Sequence, residues 1–309
     1  MIKSCIKHDI KYVFFSHTYI IFSGILCLLF GIILFMNYTA ATDIYEGYNN
    51  SKAYYEKNNI DMNESDSYDI IQNNDSSVTV SNPIAYYKEK VAQYIYAASP
   101  NYTISQMLET SILFFPLLFG VLGLVYATFD FNYKTIKVRT VRNSKKDLVI
   151  SKHIVIILNS IFILSISLIF AKLMGYLIFE LLKNSIPVES FNYSLQQSNN
   201  IFIKYIFGIV TAICFAEIGY LLGIIFKNNL IGTIIIAVYS LFLNSIGKYD
   251  LNNVLKELAK KIFDFYGVIN IGSTFAISTG ECILVIGIII LFCLITSIVI
   301  VQKRSSFIS

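Results

Sequence analysis

Three charged residues, Lys172, Glu180 and Glu217, lie within long apolar stretches of the chain. A charge inside an apolar membrane helix is costly and usually faces an opposite charge, a polar cavity or the path of a transported solute. Counted from the outer ends of their helices at about 1.5 Å per residue, Lys172 and Glu217 fall within roughly two helical turns of each other in depth. We predict that these two residues approach each other or line a translocation path. The alternative is a structural role, as an ion pair or as side chains that reach the membrane surface.

A dense run of cations occupies residues 129–153, FDFNYKTIKVRTVRNSKKDLVISKH, between two apolar stretches. We call this segment the basic loop. Because Lys and Arg resist translocation, it is expected to be cytoplasmic, and the apolar residues among its cations predict a short helix along the membrane face. Such a helix is a docking surface for a soluble partner, unless its cations serve only to fix topology. The candidate docking residues are Asp130, Tyr133, Thr135, Lys137, Arg139, Arg142, Lys145 and Lys146.

Motifs for catalysis are missing from the sequence. There is no G-x-x-x-x-G-K-[ST] segment to cradle ATP phosphates and no H-E-x-x-H metal motif. The 3 histidines are far apart, no Ser, His and acid set can be assigned by spacing, and the 5 cysteines form no C-x-x-C pair. We therefore predict that the chain is not an enzyme and holds no cofactor or metal. Energy for any transport would come from a separate ATPase or from a gradient.

The composition predicts a membrane protein. Hydrophobic residues make up 55% of the chain and charged residues only 14%, against about a quarter charged in soluble domains. Six apolar runs reach the length of a membrane-spanning helix: residues 19–36, 111–128, 154–182, 201–226, 230–246 and 283–301. Lys and Arg are denser on the side of the basic loop, so six spans put both termini in the cytoplasm. Residues 1–17 are predicted to form an interfacial amphipathic helix.

Two segments on the opposite side are predicted to have structure of their own, and the first is too long to be a simple connector. Residues 37–109 are predicted to form a partly helical extracytoplasmic insertion, in which Asn82 and Pro83 start a helix and residues 58–80 are the less ordered part. Residues 247–281 are predicted to contain an interfacial amphipathic helix. The apolar, Gly- and Ser-rich residues 268–278 are then predicted to dip back into the bilayer.

The basic loop resembles the first cytoplasmic loop of ABC-2 type transporter permeases. The resemblance rests on Asp130, Tyr133, the segment Lys-Thr-Ile-Lys at 134–137, Arg-Asn-Ser-Lys-Lys at 142–146, and Ser-Lys at 151–152. The chain departs from that pattern at Lys134, where Gly is usual, and at Lys145, where Arg is commoner. The end of the fourth apolar run, residues 219–228, also resembles this family, whereas the first external segment does not.

The resemblance implies an all-α polytopic protein in which residues 1–309 form a single six-span permease domain, with an external helical hairpin before the sixth span. Two such subunits, identical or paralogous, would pair in a bacterial cytoplasmic membrane around a central path. A cytoplasmic ABC ATPase subunit would dock on the basic loop and bind the ATP. The partners implied are therefore that ATPase, a second permease subunit and membrane lipid, with no nucleic acid. The implied function is export of an amphipathic peptide, a drug or another hydrophobic substrate.

Two other functions are compatible with the sequence to different degrees. A non-transporting membrane sensor or scaffold would bind a ligand on its external domain and signal through the basic loop. A gradient-driven carrier is disfavoured, because the chain has no visible inverted repeat and no paired broken helices.

Overall fold

A computed structural model gives the placement of residues 2–58, 68–72, 78–133, 135–193, 195, 199–242, 246–266, 272 and 274–303. These residues are predominantly helical, as predicted, and contain one short antiparallel pair of strands, β1 (Ile70–Gln72) and β2 (Val78–Val80). The helices are α1 (Ile2–Phe15), α2 (Thr18–Lys57), α3 (Pro83–Ala98), α4 (Thr103–Glu109), α5 (Ser111–Asn132), α6 (Ile136–Arg142), α7 (Lys145–Ser185), α8 (Ile201–Phe226), α9 (Asn229–Ala237), α10 (Leu251–Ile262) and α11 (Thr279–Lys303).

Among the described residues, five helices are long and apolar enough to cross a membrane: α2, α5, α7, α8 and α11. The architecture is therefore that of a helical membrane protein. The fifth predicted run, residues 230–246, instead forms the shorter helix α9, which continues into a π-helical turn at Val238–Phe242. The predicted six full-length spans become five long helices and one short one, because the regular α-helix of this run ends after nine residues.

The bundle has two ends, which we call the loop end, at the basic loop, and the far end. The N-terminal helix α1 reaches the loop end, where Asp9 contacts Arg139. The last turn of α11 reaches the same end, where Val301 lines a small cavity with Asp130 and Lys145. Helix α9 starts at the loop end, where Asn229 accepts a hydrogen bond from Thr128. The π-helical turn that follows α9 reaches the start of α10, where Tyr239 donates to Asp250 at 2.7 Å.

Helices α5 and α8 form the closest pair in the bundle, because small residues let their backbones touch. A Cβ atom on Gly219 would lie 1.9 Å from the carbonyl oxygen of Gly120, and one on Gly123 would lie 1.9 Å from that of Ala216. Glycine is therefore required at both positions by the packing.

Helices α2 and α7 continue well beyond the membrane-spanning length, with 40 and 41 residues. Their far ends carry part of the predicted external insertion: Phe179 and Leu182 of α7 belong to the same buried apolar cluster as Tyr48 of α2 and Val91 of α3. The predicted start of α3 is confirmed, because the Asn82 side chain accepts a hydrogen bond from the backbone N–H of Ala85 at 3.2 Å. Most of residues 58–80, predicted to be less ordered, lie outside the described residues.

The segment after α9 contains the predicted amphipathic helix, α10. Its apolar face is buried at Val254, Leu255 and Leu258, and Lys260 and Lys261 lie in its last turn. Residues 263–266 and 274–278 are not helical, and residues 267–271 lie outside the described part. The described residues therefore show one arm of the predicted helical hairpin.

Candidate functional site at the loop end

The basic loop folds into one short helix and the start of a long one. Helix α6 ends at Arg142, and Ser144 begins α7 by accepting a hydrogen bond from the backbone N–H of Asp147 at 3.1 Å. A Ser at the N-cap position supplies the acceptor that the first turn of a helix lacks. The sequence Arg142-Asn143-Ser144 therefore divides the predicted loop helix into α6 and the first turns of α7.

Arg139 of α6 bridges two carboxylates from distant parts of the chain. Its Nη1 atom lies 2.7 Å from Oδ2 of Asp130, at the end of α5, and its Nη2 atom lies 2.6 Å from Oδ1 of Asp9 in α1. Asp9 is only 1% exposed. Burial alone would lower the pKa of the Arg139 guanidinium, but the two carboxylates outweigh it and raise that pKa above its ordinary value. The guanidinium fork suits this arrangement, because it donates in two directions at once.

Lys152 of α7 completes the group, which we call the loop-end ion cluster: Asp9, Asp130, Arg139 and Lys152. Its Nζ atom lies 3.1 Å from Oδ2 of Asp130 and 4.0 Å from Oδ1 of Asp9. Two hydroxyl groups also donate to these carboxylates, from Ser151 to Asp9 at 2.5 Å and from Thr135 to Asp130 at 2.8 Å. Two acids and two bases cancel in charge, and the cluster ties α1, α5, α6 and α7 together at one point.

Three of the other predicted loop residues are exposed and take no part in this cluster: Tyr133, Arg142 and Lys146. Arg142 and Lys146 are exposed, and Val141, which precedes Arg142, is 86% exposed. Tyr133 is also exposed and packs its ring against Phe129, with centroids 4.4 Å apart. Lys145 lies beside the small cavity at the loop end, and the side chain of Lys137 is outside the described part. The loop thus has an inner face bound to the bundle and an outer apolar and cationic face.

Glu217, predicted to lie near Lys172, is bound instead by His153. The Nδ1 atom of His153 contacts Oε2 of Glu217, and its Nε2 atom lies 2.7 Å from the hydroxyl of Ser297 in α11. All three side chains are buried. This pair links α7, α8 and α11 just beneath the loop-end ion cluster, since His153 follows Lys152 directly.

Ser, His and a carboxylate together resemble the arrangement of a hydrolase, but the directions of the hydrogen bonds favour a structural role. An apolar interior favours a pair with no net charge, either imidazolium with carboxylate or neutral His153 with protonated Glu217. In both cases the Nε2 atom carries a proton and donates it to Ser297, whose hydroxyl donates to the Leu294 carbonyl at 2.8 Å. A catalytic serine would instead donate its proton to the imidazole.

The predicted approach of Lys172 to Glu217 is wrong. Lys172 donates to the backbone carbonyl of Pro100, and it lies about 28 Å along α7 from His153, the partner of Glu217. The error comes from taking the outer ends of the two helices as level. Helix α7 extends past the start of α8 to pack in the buried apolar cluster with Tyr48 and Val91, so Lys172 lies beside Ile201 at the beginning of α8. Glu180 is exposed and pairs with Lys183 at 2.6 Å.

A buried group at the far end was not predicted from the sequence. We call it the far-end ion cluster: Glu109, Lys204 and Asp264. Lys204 is fully buried, and its Nζ atom lies 3.1 Å from Oδ2 of Asp264 and 2.9 Å from the hydroxyl of Ser105. Glu109 accepts a hydrogen bond from Tyr102. Burial raises the pKa of Glu109 to about 7, against the opposing effects of Tyr102 and Lys204. The sequence signal for this group is Lys204 itself, a cation in the first turn of the apolar run at residues 201–226.

Within the described residues, no group of three or more His, Cys, Asp and Glu side chains is arranged to hold a metal ion. Comparisons with protein-family models, with characterised proteins and with solved structures found no match to this chain.

Proposed function

We propose that the chain is the membrane permease subunit of an ATP-driven exporter of the ABC-2 type. The observation that carries the proposal is the bridge from Arg139 in α6 to Asp9 and Asp130, because it gives a surface helix a stiff connection to the membrane helices. The similarity of the basic loop to the family's first cytoplasmic loop supports the same function. In this proposal the loop end is cytoplasmic, α9 supplies the short remaining crossing, and both termini are cytoplasmic.

The loop-end ion cluster suggests how force would pass into the membrane. A separate ATPase subunit would bind the outer face of α6 and push on it during ATP binding and hydrolysis. Arg139 and Lys152 would carry that movement to the ends of α5 and α7. Helix α7 would carry it further as a continuous rod, while α8 would follow α5 through the glycine contact at Gly120 and Gly219. A second permease subunit would complete the path for an amphipathic peptide, a drug or another hydrophobic substrate.

A sensor or scaffold is the second candidate, and one observation favours it. Helix α7 runs without a break from the basic loop to the buried apolar cluster that contains Phe179 and Leu182. A ligand bound outside would therefore have a direct mechanical connection to the loop. In that case the partner at the loop would be a signalling protein and would not hydrolyse ATP in response to a transported substrate.

The experiment is affinity purification of the tagged chain from detergent-solubilised native membranes, with ATPase activity and protein identity measured in the eluate. The permease proposal predicts a co-purifying ATPase that carries a Walker A motif. Reversing two exposed charges, in the double variant Arg142→Glu/Lys146→Glu, should remove that protein. The control Lys57→Glu, at the exposed far end of α2, should retain it. A folded chain that purifies without any ATPase would contradict the proposal and favour the sensor.

A further inference from the structure

A groove between α7 and the start of α8 lies on the outside of the bundle near its far end. Its volume is about 390 Å³, and α4 contributes Ile104 to its lining. Its lining residues are Ile104, Leu168, Ile169, Lys172, Leu173, Ile201, Phe202 and Tyr205. The hydroxyl of Tyr205 is already bonded to Ser165 at 2.7 Å. Apart from Lys172, the groove therefore presents an apolar surface.

The exposed fraction of its walls indicates what fills the groove. Ile169 and Phe202 are each 63% exposed and Leu173 is 61% exposed. A contiguous apolar surface of this kind on a membrane helix is matched by hydrocarbon and would be poorly solvated by water. The groove thus opens towards acyl chains in the bilayer.

Lys172 supplies the one charge at this groove. Its Nζ atom donates to the Pro100 carbonyl and lies 5.3 Å from the ring centroid of Tyr176. An ammonium group has three donors, and no carboxylate within the described part of the chain forms an ion pair with it. The nearest acid along α7, Glu180, is held by Lys183. Lys172 therefore keeps donors and a positive charge for another molecule.

The depth of Lys172 places this charge at a membrane surface. It lies about 28 Å along α7 from His153 at the loop end, and the hydrocarbon core of a bilayer is about 30 Å thick. Tyr176, one turn further along, is half exposed and suits the aromatic belt found at the headgroup level. The ammonium group is thus level with lipid phosphates while the apolar groove extends into the acyl region.

We propose that this groove binds an anionic phospholipid of the leaflet opposite the basic loop, with its phosphate at Lys172 and an acyl chain against Ile169, Leu173 and Phe202. The cation distinguishes an anionic headgroup from a zwitterionic one, whose own positive charge cancels the attraction. This site is independent of the transport proposal, because it requires only that the helices span a bilayer.

The absence of tryptophan from the chain allows a direct test. The variant Phe202→Trp places the only indole in the groove, and phospholipids with brominated acyl chains quench an indole that they touch. The protein is reconstituted into vesicles with increasing fractions of brominated phosphatidylglycerol, or of brominated phosphatidylcholine with the same chains. The matched control is Phe292→Trp in α11, at a position that is 61% exposed and lies outside the groove.

We expect half-maximal quenching of the Phe202→Trp protein at about a five-fold lower fraction of phosphatidylglycerol than of phosphatidylcholine, the preference that one lysine near a membrane surface gives. Adding Lys172→Gln should abolish the preference, and Lys172→Arg should keep it. The Phe292→Trp control should respond equally to both lipids. Equal quenching at position 202, a preference that survives Lys172→Gln, or the same preference at position 292 would each overturn the proposal.

Discussion

Arg139 donates a hydrogen bond from Nη2 to Oδ1 of Asp9 over 2.6 Å, although the two residues are 130 positions apart. The bond fastens the first helix of the chain to the middle of the basic loop. Asp9 is buried, whereas the lysines of the same helix are exposed. The bond therefore pairs this buried carboxylate with a guanidinium group of the basic loop. The geometry of the loop end depends on this contact.

Removing Arg139 should therefore destabilise the protein strongly. In Arg139→Gln, Asp9 would stay buried without its guanidinium partner, and loss of one member of a buried ion pair costs about 3 kcal/mol. Unfolding by SDS titration in mixed micelles, followed by circular dichroism, measures the free energy. The control Arg142→Gln, exposed on the same helix, should change it by less than about 0.5 kcal/mol. Equal losses of unfolding free energy in the two variants would show that the ion pairs of Arg139 do not stabilise the fold.

The stability that the His153–Glu217 pair contributes should depend more on the hydrogen bond between the two side chains than on the charge of Glu217. The Glu217→Gln variant keeps an acceptor for His153 and leaves the site neutral, so we expect a loss of about 1 kcal/mol. The Glu217→Leu variant leaves a buried imidazole nitrogen without a partner, with an expected loss of about 3 kcal/mol. The same SDS titration distinguishes them. If Glu217→Gln were the more damaging variant, the charge would be essential and the structural role assigned to this pair would be wrong.

Stability should depend on pH through Glu109, which lies in α4, outside the five long helices. Burial raises its pKa from 4.5 to about 7 in the folded protein. The folded state therefore holds the proton more tightly than the unfolded state, so this contribution is complete below about pH 4.5 and is lost as pH rises through about 7. The lost contribution amounts to about 3 kcal/mol.

The measurement is the difference in unfolding free energy between pH 5 and pH 8. The wild-type chain should lose more stability over this interval than Glu109→Gln, whose amide does not titrate. The exposed control Glu56→Gln should behave like the wild type. Parallel pH profiles for wild type and Glu109→Gln would exclude Glu109 as the titrating group.

The contact between α5 and α8 should tolerate no side chain. In Gly219→Ala the new methyl group would collide with the Gly120 carbonyl, and overpacking of this kind costs about 1–3 kcal/mol. In Gly287→Ala, on α11, the methyl group would enter open space and should be neutral or stabilising by up to about 1 kcal/mol. Thermal unfolding of the two variants in the same detergent compares them directly, and an unchanged midpoint for Gly219→Ala would contradict the close packing.

Local features of this fold could be predicted from the sequence, and long-range contacts could not. The helix start at Asn82, the amphipathic α10 and the helical basic loop follow from capping residues and periodicity within a few residues. The bond between Asp9 and Arg139 leaves no local pattern. The same holds for His153 with Glu217, because the partner of a buried charge is decided by how the helices align.

The predicted pairing of Lys172 with Glu217 was wrong for the same reason, because it depended on how the helices align. The apolar run at residues 154–182 is longer than the hydrocarbon core requires, and α7 itself extends from Lys145 to Ser185. A depth counted from its apolar limits is therefore shifted relative to α8. The pairing of Lys204 with Asp264 also depends on how the chain segments align, and nothing local in the sequence indicates it.

The most direct test of the proposed function is photo-crosslinking from Val141 in growing cells. This residue is 86% exposed on α6, so a benzophenone amino acid at this position would touch whatever binds the basic loop. The permease proposal predicts a crosslink to a protein with a Walker A motif, and none from the same probe at Tyr54, which is 60% exposed near the far end of α2. A crosslink from Val141 only to a protein without a nucleotide-binding site, or no protein crosslink at all, would contradict the proposal.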